Sequence, residues 1–367
     1  MNRTSLRRAL VPTVAAIAAI SLTACGAANE DDNGGGSGEG GLSGTLNGGG
    51  ASSQEAAQTA WRAGFQQAQG SGVTVNYDPT GSTGGREGFL EGGFAFAGTD
   101  SYLSDEEVAT AKETCQGTGA IQVPAYVSPI AVIYNLDGVD ELNLSPEVIA
   151  DIFNAKITTW NDPAIADLNE GVDLPNETIN AVHRSDGSGT TGNFTNYLSN
   201  VVPDNWEHGE VEDWPIQHGE GASGTSGVVA AVTENPNSIG YADASQAGDL
   251  GQVQVGVGDG FVGPSADAAS KIIEVSERVP GRDEADMAVD LDYGTTDSSA
   301  YPIVLISYMI ACQQYAEQET ADLVKGYLSY VVSPEGQETA ADNAGSAPLS
   351  STLADEALTH IEAITAG

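Results

Sequence analysis

The sequence predicts an α/β fold with mostly parallel sheets. Two observations carry that reading. Short apolar, β-branched runs alternate with segments of helical period along the body of the chain, a pattern that favours helices packed over a parallel sheet. One junction also recurs: a strand, a turn of glycines and small hydroxyl residues, then a helix start. It occurs in "VTVNYDPTGSTGGREGF" (73–89) and again in "INAVHRSDGSGTTGNF" (179–194). No internal repeat is evident.

The elements follow in order. Residues 52–70 read as a helix, because Ala57, Trp61 and Phe65 recur at four-residue spacing and Ser52 or Ser53 can cap it. Residues 73–81 alternate as a strand, and 94–100 form another that ends on Asp100. "SDEE" (104–107) resembles a capping box for the next helix. The apolar run 120–136 reads as a buried strand, and 145–169 as two short helices. Residues 224–247 give a helix, a turn and a short strand. Residues 265–279 are helical, 301–312 form a strand, and "TADLVKGYLSYVVSPEGQETAADN" is helical again.

Ahead of this body stands "MNRTSLRRALVPTVAAIAAISLTAC". Arg3, Arg7 and Arg8 precede an apolar run too short to span a bilayer comfortably, which reads as an export leader over residues 1–24. "LTAC" resembles a bacterial lipobox, which would make Cys25 the lipidated first residue of the mature chain. The alternative is an ordinary leader cut after a small residue. One lipid chain holds only marginally; bacterial lipoproteins generally carry three, so the resemblance implies firm attachment to the outer face of the cell membrane. Residues 25–43 are rich in Gly, Ser and acid, and such a chain behaves as a flexible tether. The remaining length suggests two domains.

The formal net charge is -40, from 52 acidic residues against 12 basic ones. Nucleic acid is excluded as a partner, since phosphate-backbone binding needs a basic face. Such a surface suits high salt or solubility through self-repulsion. Beyond Cys25 there are only Cys115 and Cys312. Outside the cytoplasm two such cysteines favour a disulfide, the alternative being two buried thiols. His183, His208, His218 and His360 are scattered without ligand spacing, so no metal site is expected.

Three segments share one design: "GGGASSQEAA" (48–57), "TGSTGGREGF" (80–89) and "SDGSGTTGNF" (185–194). Each puts hydroxyls and glycines at a helix start, where unpaired N–H groups and a partial positive charge suit a small oxyanion. One such turn alone is ordinary capping; three, with Arg184 beside one, point to anion binding. Arg184 offers a planar fork for a tetrahedral oxyanion, and Asp186 can hold that fork in position. Asp100 makes sense beside an anion that carries a proton, because the carboxylate accepts a hydrogen bond from it. Fully deprotonated sulfate would be repelled. The alternative for Asp100 is a cap for the helix that follows. Neither glycine turn gives the G-x-x-x-x-G-K-[ST] of a nucleotide-binding loop. "GSGTTG" is not a G-x-S-x-G elbow, so Ser188 has little support as a nucleophile.

These residues resemble the phosphate-binding lipoprotein of the Pst-type ABC transporter, the PstS family. The sharpest marker is "RSDGSGTTGNFTNYL" (184–198), supported by "GSTGG" (81–85), "FAGTDSYLSDEE" (96–107), "DIFNAKITTWNDPAIADLN" (151–169) and "SIGYAD" (238–243). The resemblance implies a periplasmic-binding-protein fold, with two α/β lobes joined by two crossing strands and the ligand in the cleft between them. The crossings are expected near residues 123–128 and 300–303. Lobe one would then be 44–126 plus 302–367, and lobe two 127–301. Carried over residue by residue, Ser52 and the amide of Ser53 would donate from the first turn, where the family often has threonine and phenylalanine. Ser82 would donate through hydroxyl and amide, and Asp100 would accept the phosphate proton. Arg184, steered by Asp186, would pair with phosphate, and Ser188, Gly189 and Thr190 would complete the cradle. Both cysteines would fall in lobe one.

The expected function is therefore capture of inorganic phosphate outside the cytoplasm and its delivery to a membrane ABC permease. It is not an enzyme's role, it needs no cofactor, and a monomer suffices. The alternatives are a receptor for another oxyanion such as arsenate or sulfate, a secreted phosphatase, or an adhesion protein on the same fold. Fixed dipoles and one guanidinium in a dry cleft escape the screening that acts on surface charges, so affinity should depend only modestly on salt.

Overall fold

A computed structural model describes residues 41–367. The expected leader, the expected lipidation site Cys25 and the expected tether up to residue 40 lie outside the described residues. Among the described residues no helix is long and apolar enough to cross a membrane.

One nine-stranded sheet runs through the molecule. Its strands in chain order are β1 (Gly44–Gly50), β2 (Val73–Asp78), β3 (Phe96–Thr99), β4 (Ala120–Asn135), β5 (Asn180–Arg184), β6 (Glu220–Ala222), β7 (Ser238–Asp243), β8 (Gly251–Gln252) and β9 (Val304–Cys312). Their spatial order is β2-β1-β3-β9-β4-β7-β5-β6, with β8 also paired to β4. The expectation of a mostly parallel sheet needs correction. β1 pairs parallel with β2 and β3 on one flank, and β5 pairs parallel with β6 and β7 on the other. At the centre β9 runs antiparallel to both β3 and β4, and β4 antiparallel to β7. The physical reason is the route of the chain: it crosses along β4 and returns along β9, so neighbouring strands at the centre run in opposite directions.

β4 belongs to both halves of the sheet. Residues 120–129 pair with β9, and residues 130–135 pair with β7. All but its two end residues are buried, as is every residue of β9. That explains why both sequences read as unbroken apolar runs: both faces are covered by helices.

The helices on the first flank are α1 (Glu55–Gln69), α2 (Ser82–Leu90) and α3 (Asp105–Thr114). α4 (Pro146–Phe153), α5 (Pro163–Ala166), α6 (Gly189–Val201), α7 (Gly224–Glu234) and α8 (Ala266–Val275) follow on the other, and α9 (Gln318–Val332), α10 (Pro334–Ala344) and α11 (Ser351–Glu362) close the chain. α1 buries Ala57, Trp61 and Phe65, the stripe that its spacing predicts, and Gln58 beside them. α3 has the capping box, with Ser104 and Glu107 each bonded to the other's backbone N–H. α4 begins with Ser145 as cap and proline in its first turn, where proline loses no intrahelical bond.

Cys115, at the end of α3, and Cys312, at the end of β9, form a disulfide across 197 sequence positions. A loop of that length gives about 5 kcal/mol in the chain-entropy account.

Candidate functional site

The first turn leaves β1 through glycines that permit close backbone approach. A Cβ on Gly50 would lie 1.9 Å from the carbonyl oxygen of Gly98, so Ser52 and Ser53 sit directly over the end of β3. The chain then makes one 3-10 turn, Ser52–Gln54, before α1. Neither serine caps the helix, contrary to the expectation from spacing; the hydroxyls are taken by tertiary partners. Ser53 Oγ donates to Asp100 Oδ2 at 2.6 Å. Ser52 Oγ accepts the Thr225 N–H at 3.0 Å, across the cleft at the start of α7.

Asp100 follows β3 and is 3% exposed. Its carboxylate collects three hydroxyl donors: Ser53, Thr190 at 3.0 Å on the same oxygen, and Ser307 at 2.7 Å on the other. Its backbone N–H donates to Ser82 Oγ at 3.1 Å. Ser104 caps α3, so Asp100 is not the cap. Burial raises its pKa, and the three hydroxyls and the Arg184 charge pull the other way without cancelling the rise.

Arg184 ends β5 and is 2% exposed. Asp186 grips it through Nε at 2.8 Å and through Nη2, which leaves Nη1 for an anion. Asp186 also accepts the Gly224 N–H at 3.0 Å. Burial would raise the Asp186 carboxyl, but the bonds and charge of Arg184 outweigh it and hold the pKa below the usual range. Ser188 caps α6 by accepting the Thr191 N–H at 3.2 Å. A Cβ on Gly189 would stand 2.6 Å from Ser82 Oγ and 2.9 Å from Asp100 Cβ. The starts of α2 and α6 therefore face each other at backbone distance.

The residues predicted for the anion site lie around this one cleft. Ser52, Ser53, Ser82 and Asp100 face Arg184, Asp186, Ser188, Gly189 and Thr190 across it. The set supplies hydroxyls, helix-start amides and a guanidinium as donors, with one carboxylate as acceptor. That chemistry fits a small oxyanion carrying a proton.

Sequence reasoning missed several contributors. Ser307 was legible as the hydroxyl inside the apolar run "VLISYMIAC". It is held by Gln54, whose Nε2 donates to its Oγ at 2.8 Å. Thr225 stands in "GASGTSG" (221–227), a fourth turn of the same design. Asn193 donates to the Asp100 carbonyl at 2.7 Å, and the Tyr241 hydroxyl accepts the Arg184 N–H at 3.3 Å. Neither carries a local sequence signal.

Comparison with known proteins gives the family and the fold. The model of the PBP superfamily domain matches residues 35–335. Phosphate-binding protein PstS3 of Mycobacterium bovis is 36% identical over 369 residues, covering 96% of this chain and 97% of its own length. The chain belongs to the PstS family of the PBP superfamily. Phosphate-binding protein PstS2 of the same organism is 34% identical over 360 residues, covering 94% of this chain and 95% of its own. Among solved structures, a high-affinity periplasmic phosphate-binding protein (PfluDING) bound with phosphate superposes with a TM-score of 0.69 at 23% identity, covering 85% of this chain and 92% of its own. That likeness places the two-lobed periplasmic-binding fold.

A cavity of about 300 Å³ lies beside the cleft. Of the predicted site residues only Asp100 lines it; its walls otherwise include Arg86, Glu107, Asn193, Glu212, Asp290 and Tyr293.

Proposed function

We propose that this protein captures inorganic phosphate in the cleft and passes it to a membrane ABC permease. The observation that carries the reading is Asp100: a buried carboxylate amid donors, facing Arg184 and the start of α6. A ligand there must be an anion to engage the donors and must bring a proton to engage the carboxylate. Phosphate at neutral pH meets both conditions; sulfate fails the second. Ser52, Ser53, Ser82, Ser188, Gly189 and Thr190 supply donors, Arg184 pairs with the anion and Asp186 fixes the fork.

On this reading the protein binds its ligand without turnover, which the phosphate-binding names of its relatives support. Lobe one, residues 44–126 plus 302–367, and lobe two, residues 127–301, close on the ligand by a hinge motion that its contacts to both sides favour. The chain acts as a monomer, exported and anchored to the outer face of the cell membrane through lipid on Cys25. Its relatives carry the name of phosphate-binding proteins along nearly their whole length, which supports the reading.

The test is calorimetric titration of protein freed of bound phosphate. One-to-one heat with phosphate and none with sulfate is expected. No heat with phosphate would overturn the proposal.

A further inference from the structure

Arg86 and Glu212 stand outside the phosphate cradle, yet they join its two sides. Arg86 lies on α2, one turn after Ser82, and its side chain is 8% exposed. On its own side of the cleft it donates to Glu107 at 2.9 Å and to the Thr99 hydroxyl at 3.1 Å. Across the cleft its two terminal nitrogens grip both oxygens of Glu212, at 3.0 and 2.7 Å. The hydroxyl of Thr83, also on α2, donates to Glu212 as well. The backbone carbonyl of Glu212 in turn accepts the Ser188 N–H at 3.2 Å. Glu212 thus holds the opposite side of the cleft through its side chain and the cap of α6 through its main chain.

We infer that Arg86 and Glu212 form an inter-lobe clasp that sets the lifetime of the closed, ligand-bound state. The inference rests on the cleft holding phosphate as proposed. Three features separate the clasp from an ordinary surface pair. It is bidentate, which fixes its geometry as well as its charge. It is largely buried, so salt screens it little. It links α2 to residue 212, which the expected division puts in different lobes, so a hinge opening would break it and its energy would add to the closed state alone. In the open state Arg86 keeps Glu107 and Thr99, and Glu212 returns to water. Neither charge is then left buried and unpaired, the condition that makes broken ion pairs costly. Arg86 also ties Thr99, the residue before Asp100, to the helix that begins at Ser82. Closing the clasp therefore aligns the turns that carry Ser82, Asp100 and Ser188 together. These are positioning residues; neither is among the cradle groups expected to touch the ligand.

Glu212→Gln keeps the shape of the side chain and removes its charge. Stopped-flow exchange of phosphate should give a dissociation rate raised roughly 10- to 100-fold, within the usual span of coupling between sites, and an association rate changed by less than about threefold. The melting temperature of ligand-free protein should stay where it is, because the open state lacks the clasp. Thr83→Val should move the dissociation rate in the same direction by a smaller factor. An unchanged dissociation rate in Glu212→Gln overturns the clasp, and so does a rate change matched by an equal loss of ligand-free stability. If wild-type protein binds no phosphate, the ligand reading fails. The clasp, which acts only on a ligand-bound closed state, is then overturned with it.

Discussion

Replacing Asp100 by asparagine tests the chemistry of the cleft most directly. The carboxylate is 3% exposed and accepts from Ser53, Ser307 and Thr190. The amide keeps one acceptor oxygen and turns the other position into a donor. Either Ser307 or the pair Ser53 and Thr190 must then rotate from donating to accepting, which hydroxyls can do, so the fold should survive. What is lost is a charge-assisted hydrogen bond from the protonated oxygen of phosphate, about 1.5–3 kcal/mol, or roughly 10- to 150-fold in affinity. Sulfate moves the other way. Two unit charges about 4 Å apart repel by about 4 kcal/mol at the effective dielectric near a protein surface, an upper bound of roughly a thousandfold on the relief. Calorimetry on phosphate-free protein reads both numbers. Phosphate affinity equal to wild type with sulfate still silent would refute a proton-reading role for Asp100.

Gly189→Ala puts a methyl against Ser82 Oγ and Asp100 Cβ, which holds the two sides apart. Phosphate affinity should fall at least roughly tenfold while ligand-free stability is kept; unimpaired binding by a correctly folded variant would show that the cleft need not close to this distance. Asp243 is 1% exposed, and burial pushes its pKa up to about 6, against hydrogen bonds from the Ser245 N–H and hydroxyl. The folded state then holds a proton that the unfolded state has released, so stability drops as pH rises from the ordinary aspartate range through about 6. Asp243→Asn lacks this loss, so urea unfolding should show it gaining on wild type by up to about 3 kcal/mol between about pH 4 and about pH 8, and a constant difference would count against the shift. Raising salt from about 0.05 to about 0.5 M should weaken phosphate binding by less than about tenfold, since the cradle is buried; a steeper loss would mean that exposed charges govern affinity.

The element order and the three glycine turns were legible because they are local. Hydroxyls and glycines next to a helix start carry their meaning within ten residues, and Arg184 and Asp186 sit two positions apart. The roles of Ser52 and Ser53 were misjudged for the same reason. A serine before a helix reads as a cap, and only the arrival of Asp100 and Thr225 diverts the hydroxyls. Strand direction was illegible at the centre, because an apolar run such as 120–136 signals burial but not the orientation of its neighbours. Arg86 and Glu212 escaped notice because each alone is an unremarkable charge. Their meaning arises from a pairing across 126 positions, which no periodicity records.

The partner change within β4 also has a consequence for how the chain assembles. The second half of β4, with β5, β6, β7 and β8, lies on a continuous stretch and can pair without any later residue. β3 pairs early with β1, but its other edge waits for β9, which arrives only at Val304, late in synthesis. Such long-range pairing is slow to form, and until it forms the chain carries an unpaired β3 edge and an uncovered first half of β4. Exposed edges of that kind invite pairing with other chains. A product ending before Val304 would therefore contain one half of the sheet able to form and another with an open edge at β3, prone to aggregate through the strand that leads into the site.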